Sequence, residues 1–223
     1  MRRVILASAS PRRKALLRQI GLAFEVIAAE VDERLSESEL LDPSGAVVAL
    51  AEAKARAVLD RLPGDARDAL VIGADTVVLV EGRVLGKPDD EVTAADMLGL
   101  LSGRTHTVLT GVAVVDAASG RARCGFERTL VTMSALTDDI IRRYVATREP
   151  MDKAGAYAVQ GLGSLFIERV EGCYFNVVGL PLALLHRLLV GSGFDAVDMW
   201  PPSQPLRCAG GARPAGVRER RSR

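Results

Sequence analysis

Two hydroxyls, a proline and two guanidiniums follow a short apolar run near the start of the chain, in Ser8-Ala9-Ser10-Pro11-Arg12-Arg13. The apolar run predicts a buried strand, and the residues that follow have a helical pattern. Backbone N–H groups, the positive helix end and both arginines would converge on an anion there. Pro11 suits a first helical turn, where its missing donor costs nothing. The segment therefore predicts an anion site at a helix N-terminus, or a capped helix with solvated arginines.

A carboxylate is placed behind a second apolar run, in Gly73-Ala74-Asp75-Thr76. The run predicts a buried strand that ends at this segment, and such strand ends are where open α/β sheets bind ligands. Asp75 could act there as a base, as a metal ligand or as a cap for the following turn. Other charged residues are expected nearby: Asp32 and Glu33 after a strand-like segment at 24–28, Lys54 in an alanine-rich helix, and Lys87 after a hairpin.

Carboxylates combined with lysines and arginines in one cleft suit a metal-bound polyphosphate. Magnesium keeps several waters and takes one or two carboxylates together with phosphate oxygens. Cationic side chains then neutralise the charge that develops on the transferred group. The sequence has no cluster of His or Cys that would form a softer metal site, and His106 and His186 are expected to be structural. The pattern favours a hard divalent cation and a phosphate ligand.

A second dense group of small and polar residues is Asp152-Lys153-Ala154-Gly155-Ala156-Tyr157-Ala158-Val159-Gln160-Gly161. The small residues permit close backbone approach, and the Gln160 amide can both donate and accept hydrogen bonds. An amide of this kind suits a uracil or thymine edge, which alternates acceptor and donor. A glycine-bounded surface loop is the alternative interpretation.

Strands and helices alternate along the chain, which predicts a mixed α/β layer architecture. The segment Glu81-Gly82-Arg83, between the apolar runs 77–80 and Val84-Leu85, predicts a short hairpin that directs Gly86-Lys87-Pro88 back toward the strand end. The segment Asn176-Val177-Val178-Gly179-Leu180-Pro181 predicts a turn into the last helix. The predicted strands are 4–7, 70–72, 76–80, 107–115, 128–133 and 165–170, and the predicted helices are 12–20, 44–62, 94–101, 137–148 and 182–189.

Composition excludes several classes of protein. Hydrophobic residues make up 48% and charged residues 26% of 223, which is ordinary for a globular chain and argues against general disorder. The formal net charge of +1 gives no sign of a nucleic-acid coat or an anionic-membrane binder. Three cysteines without C-x-x-C spacing fit a reducing cytoplasm, and no apolar segment is long enough to span a bilayer. We expect one domain at 1–195 and a disordered Pro/Gly/Arg-rich tail at 196–223.

Six segments, in this order, resemble the Maf family of nucleoside triphosphate pyrophosphatases over residues 3–195. The resemblance implies a mixed α/β fold like that of the inosine triphosphate pyrophosphatases, with a long twisted sheet, flanking helices and two lobes around a central cleft. It also implies hydrolysis of a nucleoside triphosphate to the monophosphate and pyrophosphate with Mg²⁺ or Mn²⁺, and often a homodimer. The six are Ser8-Ala9-Ser10-Pro11-Arg12-Arg13, Gly73-Ala74-Asp75-Thr76, Gly86-Lys87-Pro88, Ser102-Gly103-Arg104-Thr105-His106, 152–161 and Val178-Gly179-Leu180-Pro181.

Within the family the chain is similar to the dTTP/UTP branch, because Arg12, Thr76 and Gln160 stand at its selectivity positions. The 7-methyl-GTP branch typically carries tryptophan in place of Arg12. Carried over residue by residue, the resemblance implies that Asp75 is the general base and that Glu33 and Asp75 are metal-site carboxylates. The implied phosphate-binding residues are Ser8, Ser10, Arg13, Lys54 and Lys87.

The resemblance implies a cellular role in clearing unwanted pyrimidine nucleotides before polymerases use them. An alternative is a nucleotide-binding regulator of septum formation with little turnover, since Maf proteins are also associated with septum inhibition. The paired carboxylates favour the enzyme, because anion binding alone gains nothing from them unless a metal is bound. A dinucleotide-dependent oxidoreductase is disfavoured because no G-x-G-x-x-G follows the first strand.

Overall fold

A seven-stranded mixed sheet forms the centre of the structure, a computed structural model that describes residues 2–33, 40–63 and 68–200. Its main path has the order β2-β1-β3-β5-β6-β7, and β4 pairs with β3 beside that path. The strands are β1 (Arg3–Leu6), β2 (Glu25–Val26), β3 (Ala69–Val80), β4 (Arg83–Leu85), β5 (Thr105–Asp116), β6 (Ala122–Met133) and β7 (Ile167–Glu171).

Helices cover both faces of the sheet, and several begin at a side-chain cap. Ser10, Asp42, Asp90 and Thr137 each accept a hydrogen bond from a backbone N–H in the first helical turn, which satisfies a donor that would otherwise lack a partner. The α-helices are α1 (Pro11–Gln19), α2 (Pro43–Leu59), α3 (Glu91–Leu101), α4 (Asp138–Ala146), α5 (Tyr174–Val178) and α6 (Leu182–Gly191), and 3₁₀ turns lie at Glu149–Asp152, Ala154–Ala156, Gly161–Phe166 and Ala196–Met199.

The outer edge of β3 is shared by two short strands that do not meet. Strand β1 runs parallel to β3 and pairs with residues 69–72, whereas β4 runs antiparallel and pairs with residues 78–80. Residues 73–77 therefore have no strand partner on that edge within the part of the chain that the structure describes. An edge with unpaired backbone between two different strands is an opening into which a ligand can enter.

The predicted hairpin is confirmed. Val80 pairs with Arg83, and the two residues between them have positive φ, +48° at Glu81 and +75° at Gly82. Positive φ at both central residues defines the type I′ turn, whose twist matches that of the flanking strands. The turn sends β4 back along β3 and places Lys87 beside the opening.

One prediction at the centre of the sheet was wrong. Strand β3 is continuous from Ala69 to Val80, so Asp75 lies in the middle of a strand and not at its end. Gly73 does not break the strand. A Cβ atom at Gly73 would overlap the carbonyl oxygen of Ala51, and one at Gly111, directly opposite Asp75, would overlap the backbone of Val47. Only glycine fits at these two positions, because the backbone of α2 packs directly against the sheet there.

Other boundaries also differ from the prediction. Strand β6 begins at Ala122, six residues before the predicted start, because its first half is partly exposed and lacks an apolar run. Residues 165 and 166 end a 3₁₀ turn, and β7 begins only at Ile167. The predicted turn at 176–181 contains the last residues of the short helix α5, which ends at Gly179 with φ +119°. The remaining predicted elements match observed ones to within a few residues.

The apolar core is divided by the sheet and, on one face, by the opening. Side chains alternate along β3, so residues 72, 74, 76 and 78 share the face opposite α2. On that face, one cluster packs Ile72 and Val112 against α1 and α6, and another packs Val78 and Val131 against α3 and α4. Thr76 lies between the two clusters. This division gives the molecule two lobes: one contains α1 and α6, and the other contains α3 and α4.

Ordered structure continues past the predicted start of the tail at residue 196. Ala196 is buried, and the indole Nε1 of Trp200 donates a hydrogen bond to the carbonyl oxygen of Ile20 at 2.9 Å. The prediction for residues 201–223 lies outside the described residues. Across the described ranges, no helix is both long and apolar enough to cross a membrane.

Candidate active site

A cleft of about 640 Å³ lies along the unpaired stretch of β3, between the two lobes. Its walls come from the start of α1, the segment after β2, the centre of β3, the segment after β4 and the loop before the 3₁₀ turn at Gly161–Phe166. Residues that are far apart in sequence therefore meet on one surface. The predicted site residues on its walls are Ser10, Arg12, Arg13, Glu33, Asp75, Thr76, Lys87 and Gln160.

Lys54 connects the two carboxylates that the sequence predicted for a metal site. Its Nζ lies 2.6 Å from Asp75 Oδ1 and 2.6 Å from Glu33 Oε1. Glu33 Oε2 accepts a further hydrogen bond from Lys87 Nζ at 2.9 Å. The lysine from α2 thus fixes a carboxylate from the sheet and one from the segment after β2 in a single chain of alternating charge.

This series of four charged side chains runs from the interior of the protein to the solvent. The side chains of Lys54 and Asp75 are 7% and 9% exposed, whereas those of Glu33 and Lys87 are 46% and 58% exposed. Burial raises the pKa of Glu33, but the hydrogen bonds and charges of Lys54 and Lys87 outweigh it and lower that pKa to about 2. The Glu33 carboxylate is therefore ionised at any physiological pH.

The donor set fits a divalent metal ion held jointly by protein and substrate. Asp75 and Glu33 supply hard carboxylate oxygens on adjacent walls of the cleft, and Asp32 and Asp89 line the same space. Among the described residues, no group of three or more His, Cys, Asp or Glu could hold a metal ion alone. Two carboxylates completed by waters and phosphate oxygens match the preference of Mg²⁺, which rarely has an all-protein cage.

Arg13 is the cation most firmly held at the cleft. Its Nε donates to the carbonyl oxygen of Gly179 at 2.9 Å, its Nη1 to Ser8 Oγ at 3.2 Å and its Nη2 to Thr76 Oγ1 at 3.1 Å. Burial lowers the pKa of the guanidinium, and the charges of Asp75 and Glu33 act in the opposite direction. A guanidinium fixed on three sides is suited to bind a phosphate in one orientation.

The two serines predicted to contact phosphate lie under this arginine. Ser10 Oγ caps α1 by accepting from the Arg13 backbone N–H at 3.4 Å. Ser8 Oγ accepts from the Ser10 backbone N–H at 3.2 Å, in addition to the bond from Arg13 Nη1. A hydroxyl that accepts twice still has its own proton to donate. Ser8 is mostly buried behind the wall of the cleft, so Ser10 is the more accessible of the two.

Arg12 joins the two lobes across the cleft. Its Nη1 lies 2.8 Å from Asp152 Oδ2, and its Nη2 donates to the carbonyl oxygen of Asp152 at 3.2 Å. Burial raises the pKa of Asp152, but bonds from Lys153 and Arg12 lower it below its ordinary value. The pair brings the Ser8–Arg13 segment and the 152–161 segment, which were predicted separately, to one site.

Gln160 lies exposed at the rim of the cleft, and none of the hydrogen bonds recorded among the described residues involves its side-chain amide. The neighbouring Tyr157 forms part of the wall and has its hydroxyl 2.8 Å from His106 Nε2. Burial lowers the pKa of His106 to about 4, so this histidine is neutral and structural, as predicted. His186 does not line the cleft; its Nδ1 lies 3.9 Å from Asp195 Oδ1.

Sequence reasoning missed the residues behind Arg13. Thr110 in β5 is fully buried, and its hydroxyl lies 2.9 Å from Thr76 Oγ1. Gly179 was predicted as part of a turn and of the family segment 178–181 but was given no role at the site, although its carbonyl oxygen accepts a hydrogen bond from Arg13. A polar residue inside the apolar strand 107–115 was the available signal for Thr110. Lys54 was predicted to contact phosphate, but it lies behind the wall of the cleft, and its observed partners are the carboxylates of Glu33 and Asp75.

Comparison with known proteins relates the whole folded region to one family. A dTTP/UTP pyrophosphatase of Moorella thermoacetica is 54% identical over 200 residues, which cover 90% of this chain and 98% of that protein. A dTTP/UTP pyrophosphatase of Pelotomaculum thermopropionicum is 53% identical over 197 residues, covering 88% and 100%. A third protein of that name, from Caldicellulosiruptor saccharolyticus, is 46% identical over 195 residues, covering 87% and 97%.

Among solved structures, a nucleoside-triphosphatase described as a dITP/XTP pyrophosphatase from Mycobacterium abscessus aligns with 86% of this chain and 93% of its own. The identity is 13% and the TM-score 0.37, a similarity too low to bear on the site. The sequence model described as Maf-like protein matches residues 3–191, nearly all of the region that the structure describes. This chain belongs to the Maf family.

Proposed function

We propose that this protein is a nucleoside triphosphate pyrophosphatase that hydrolyses dTTP and UTP to the monophosphate and pyrophosphate. The observation that carries the proposal is the position of Asp75, a carboxylate on an unpaired strand segment that shares one cleft with Arg12, Arg13 and Lys87. Three relatives that are 46–54% identical over nearly their whole length are named dTTP/UTP pyrophosphatase, which supports the same substrates here.

Arg13 and Lys87 bind the phosphates from opposite sides of the cleft. Arg13 is held rigidly on the lobe that contains α1, and Lys87 extends from the segment after β4 on the other lobe. Ser10 adds a hydroxyl at the positive end of α1, and Ser8 supports Arg13 from behind. Arg12 is released from Asp152 when a phosphate or base edge competes for its guanidinium.

Asp75 accepts a proton from water, and the water oxygen attacks the α-phosphorus. One P–O bond forms to that oxygen, the bond between the α-phosphorus and the bridging oxygen breaks, and pyrophosphate leaves with the electron pair. Lys54 keeps the Asp75 carboxylate in place through its bond to Oδ1. The arginines and Lys87 stabilise the charge on the departing pyrophosphate, so positioning and electrostatics supply most of the acceleration.

Asp75 and Glu33 would hold a divalent cation, Mg²⁺ or Mn²⁺, together with phosphate oxygens. When bound, the cation would offset the negative charge of the triphosphate in a site that already contains two carboxylates. Lys54 and Lys87 keep both Glu33 oxygens oriented before the substrate arrives. The protein residues are thus preorganised for a metal that enters with its nucleotide.

Arg12, Thr76 and Gln160 select the base. The Gln160 amide has both a donor and an acceptor to offer at the rim of the cleft, which matches the alternating edge of uracil and thymine. Arg12 lies in the first turn of α1 and Thr76 lies between the two lobes, so the base is recognised where the lobes meet. We infer that the enzyme serves to clear unwanted pyrimidine nucleotides, that it acts in the cytoplasm, and that residues 1–195 form its catalytic domain.

Pyrophosphate release from a panel of nucleoside triphosphates, with Mg²⁺ or Mn²⁺, tests the proposal. We expect turnover of dTTP and UTP well above that of CTP, GTP and ATP. Tight nucleotide binding without turnover under either metal would instead favour a regulatory protein. Equal turnover of all triphosphates would contradict the proposed base selection while leaving the hydrolysis intact.

A further inference from the structure

A chain of hydrogen bonds runs from Arg13 into the interior of the sheet. Arg13 Nη2 donates to Thr76 Oγ1 at 3.1 Å, and Thr76 Oγ1 lies 2.9 Å from Thr110 Oγ1. Thr110 Oγ1 in turn donates to the carbonyl oxygen of Asn176 at 3.1 Å. The chain connects α1, β3, β5 and α5, so it crosses the molecule at the point where the two lobes meet.

The direction of each hydrogen bond in this chain follows from the groups at its ends. The carbonyl oxygen of Asn176 can only accept, so Thr110 must donate its single hydroxyl proton to it. Thr110 has no second proton for Thr76. The bond between the two hydroxyls therefore uses the Thr76 proton, and Thr76 accepts from Arg13 with a lone pair.

Because the Thr76 proton points toward Thr110, the Thr76 oxygen presents a lone pair to the Arg13 guanidinium. If the Thr76 hydroxyl rotated and pointed its proton at the guanidinium, two donors would face each other and the contact would be lost. The guanidinium has five N–H groups, of which three are used by Gly179, Ser8 and Thr76. One N–H remains on each terminal nitrogen, which is the pair that can bind a phosphate in bidentate fashion.

The far end of the chain is anchored independently of the cleft. The Asn176 side chain is fully buried, and its Nδ2 donates to the carbonyl oxygen of Val108 at 3.0 Å and to Thr129 Oγ1 at 2.9 Å. The Asn176 carbonyl oxygen also accepts from the Gly179 backbone N–H at 2.9 Å. This residue therefore has one fixed position, which holds both Thr110 and the Gly179 turn in register with the sheet.

We propose that Thr110 is a positioning residue for phosphate binding: its hydroxyl sets the direction of the Thr76 hydroxyl and so orients Arg13 toward the triphosphate. Thr110 does not line the cleft and touches no substrate, so it acts entirely through Thr76. The proposal rests on the proposed function, because it takes Arg13 to be a phosphate-binding residue.

The test removes the Thr110 hydroxyl at nearly constant volume. In Thr110→Val, the Asn176 carbonyl keeps its bond from Gly179, so no backbone acceptor is left without a partner. The Thr76 proton then has no fixed acceptor, and we expect kcat/KM for UTP to fall about tenfold through loss of alignment. Thr110→Ser retains the hydroxyl and should stay within a factor of about two of the wild type.

A structural effect is separated from positioning by two further variants. Ser102→Ala removes a partly buried hydroxyl that is bonded to the backbone of Leu136, away from the cleft and from Thr76, Thr110, Asn176 and Arg13. It should lower the unfolding temperature yet leave kcat/KM within about twofold. In an Arg13→Lys background, where the fork is already lost, adding Thr110→Val should change kcat/KM by less than about twofold.

Calorimetric binding of inorganic pyrophosphate to the unliganded protein gives a measurement that does not depend on turnover. Its affinity should weaken in Thr110→Val and not in Thr110→Ser or Ser102→Ala. Wild-type kinetics and pyrophosphate affinity in Thr110→Val would overturn the positioning role, as would an undiminished effect in the Arg13→Lys background. A wild-type protein that hydrolyses no triphosphate would instead contradict the proposed function itself.

Discussion

Lys54 Nζ lies 2.6 Å from Asp75 Oδ1, and both side chains are almost completely buried. The lysine comes from α2 and the aspartate from the middle of β3, so the contact forms only because the helix lies very close to the sheet. The same ammonium group binds Glu33 at the cleft. Helix packing and the carboxylate pair of the site are thereby physically linked.

Substitution of Lys54 by Met should destabilise the fold far more than the same change at Lys87. Lys54→Met leaves the buried Asp75 charge without its cation, and breaking a buried pair costs about 3–5 kcal/mol. The Lys87–Glu33 pair is largely exposed, so its loss should cost less than about 1 kcal/mol. Urea unfolding of both variants measures the difference, and equal losses would contradict the buried role of Lys54.

The closeness of α2 and β3 can be tested at Gly73. A methyl group there would overlap the Ala51 carbonyl oxygen, so Gly73→Ala should cost at least about 1–3 kcal/mol through overpacking. Gly99, within α3, has nothing within 4 Å of an added Cβ, so Gly99→Ala should stabilise the protein by about 0.5–1 kcal/mol. Urea unfolding of both variants measures these free energies. An unchanged stability of Gly73→Ala would contradict the close contact between α2 and β3.

The stability of the protein should decline in acid partly through Glu33. Its pKa is lowered from 4.5 to about 2 in the folded state, so below pH 4.5 the unfolded chain binds a proton that the folded chain does not. The contribution is complete above about pH 4.5 and is lost as the pH falls toward 2. Glu33→Gln should therefore flatten the dependence of unfolding free energy on pH in that window. An unchanged slope would show that Glu33 is not held by the lysines in solution.

Base selection should depend on Gln160. Its exposed amide offers a donor and an acceptor at the rim of the cleft, whereas Gln160→Met keeps the length of the side chain and removes both. We expect the ratio of kcat/KM for UTP over CTP to fall about tenfold or more. Ser164→Ala, on the following turn and away from the cleft walls, is a matched surface control. A ratio unaffected by Gln160→Met would remove this residue from the recognition of the base.

Local chemistry made some parts of the fold predictable. The hairpin at Glu81-Gly82-Arg83 was predicted correctly because a short glycine-containing turn between two apolar runs defines it, although Arg83 itself pairs with Val80 and only Glu81 and Gly82 form the turn. Ser10 and Pro11 similarly predicted the start of α1, where Ser10 caps the helix. Most residues of the cleft were identified from the sequence because charges and hydroxyls are unusual next to apolar runs.

Contacts between distant segments could not be read in the same way. Gly73 looked like a strand end, because only the approach of α2 explains a glycine in the middle of β3. The partners of Lys54 depend on how a helix and a strand are aligned in space. Thr110 gained its meaning from the register that places it opposite Thr76. In each case the deciding interaction joins residues separated by many positions in the chain.

The most direct test of the central claim compares the wild type with Asp75→Asn in an assay of pyrophosphate release from UTP and dTTP with Mg²⁺. Asparagine retains the size of the side chain but cannot take a proton from water, so turnover should fall by about 10²–10⁴-fold. Circular dichroism should show that the variant is folded. Wild-type turnover by a folded Asp75→Asn protein would contradict the assignment of Asp75 as the base.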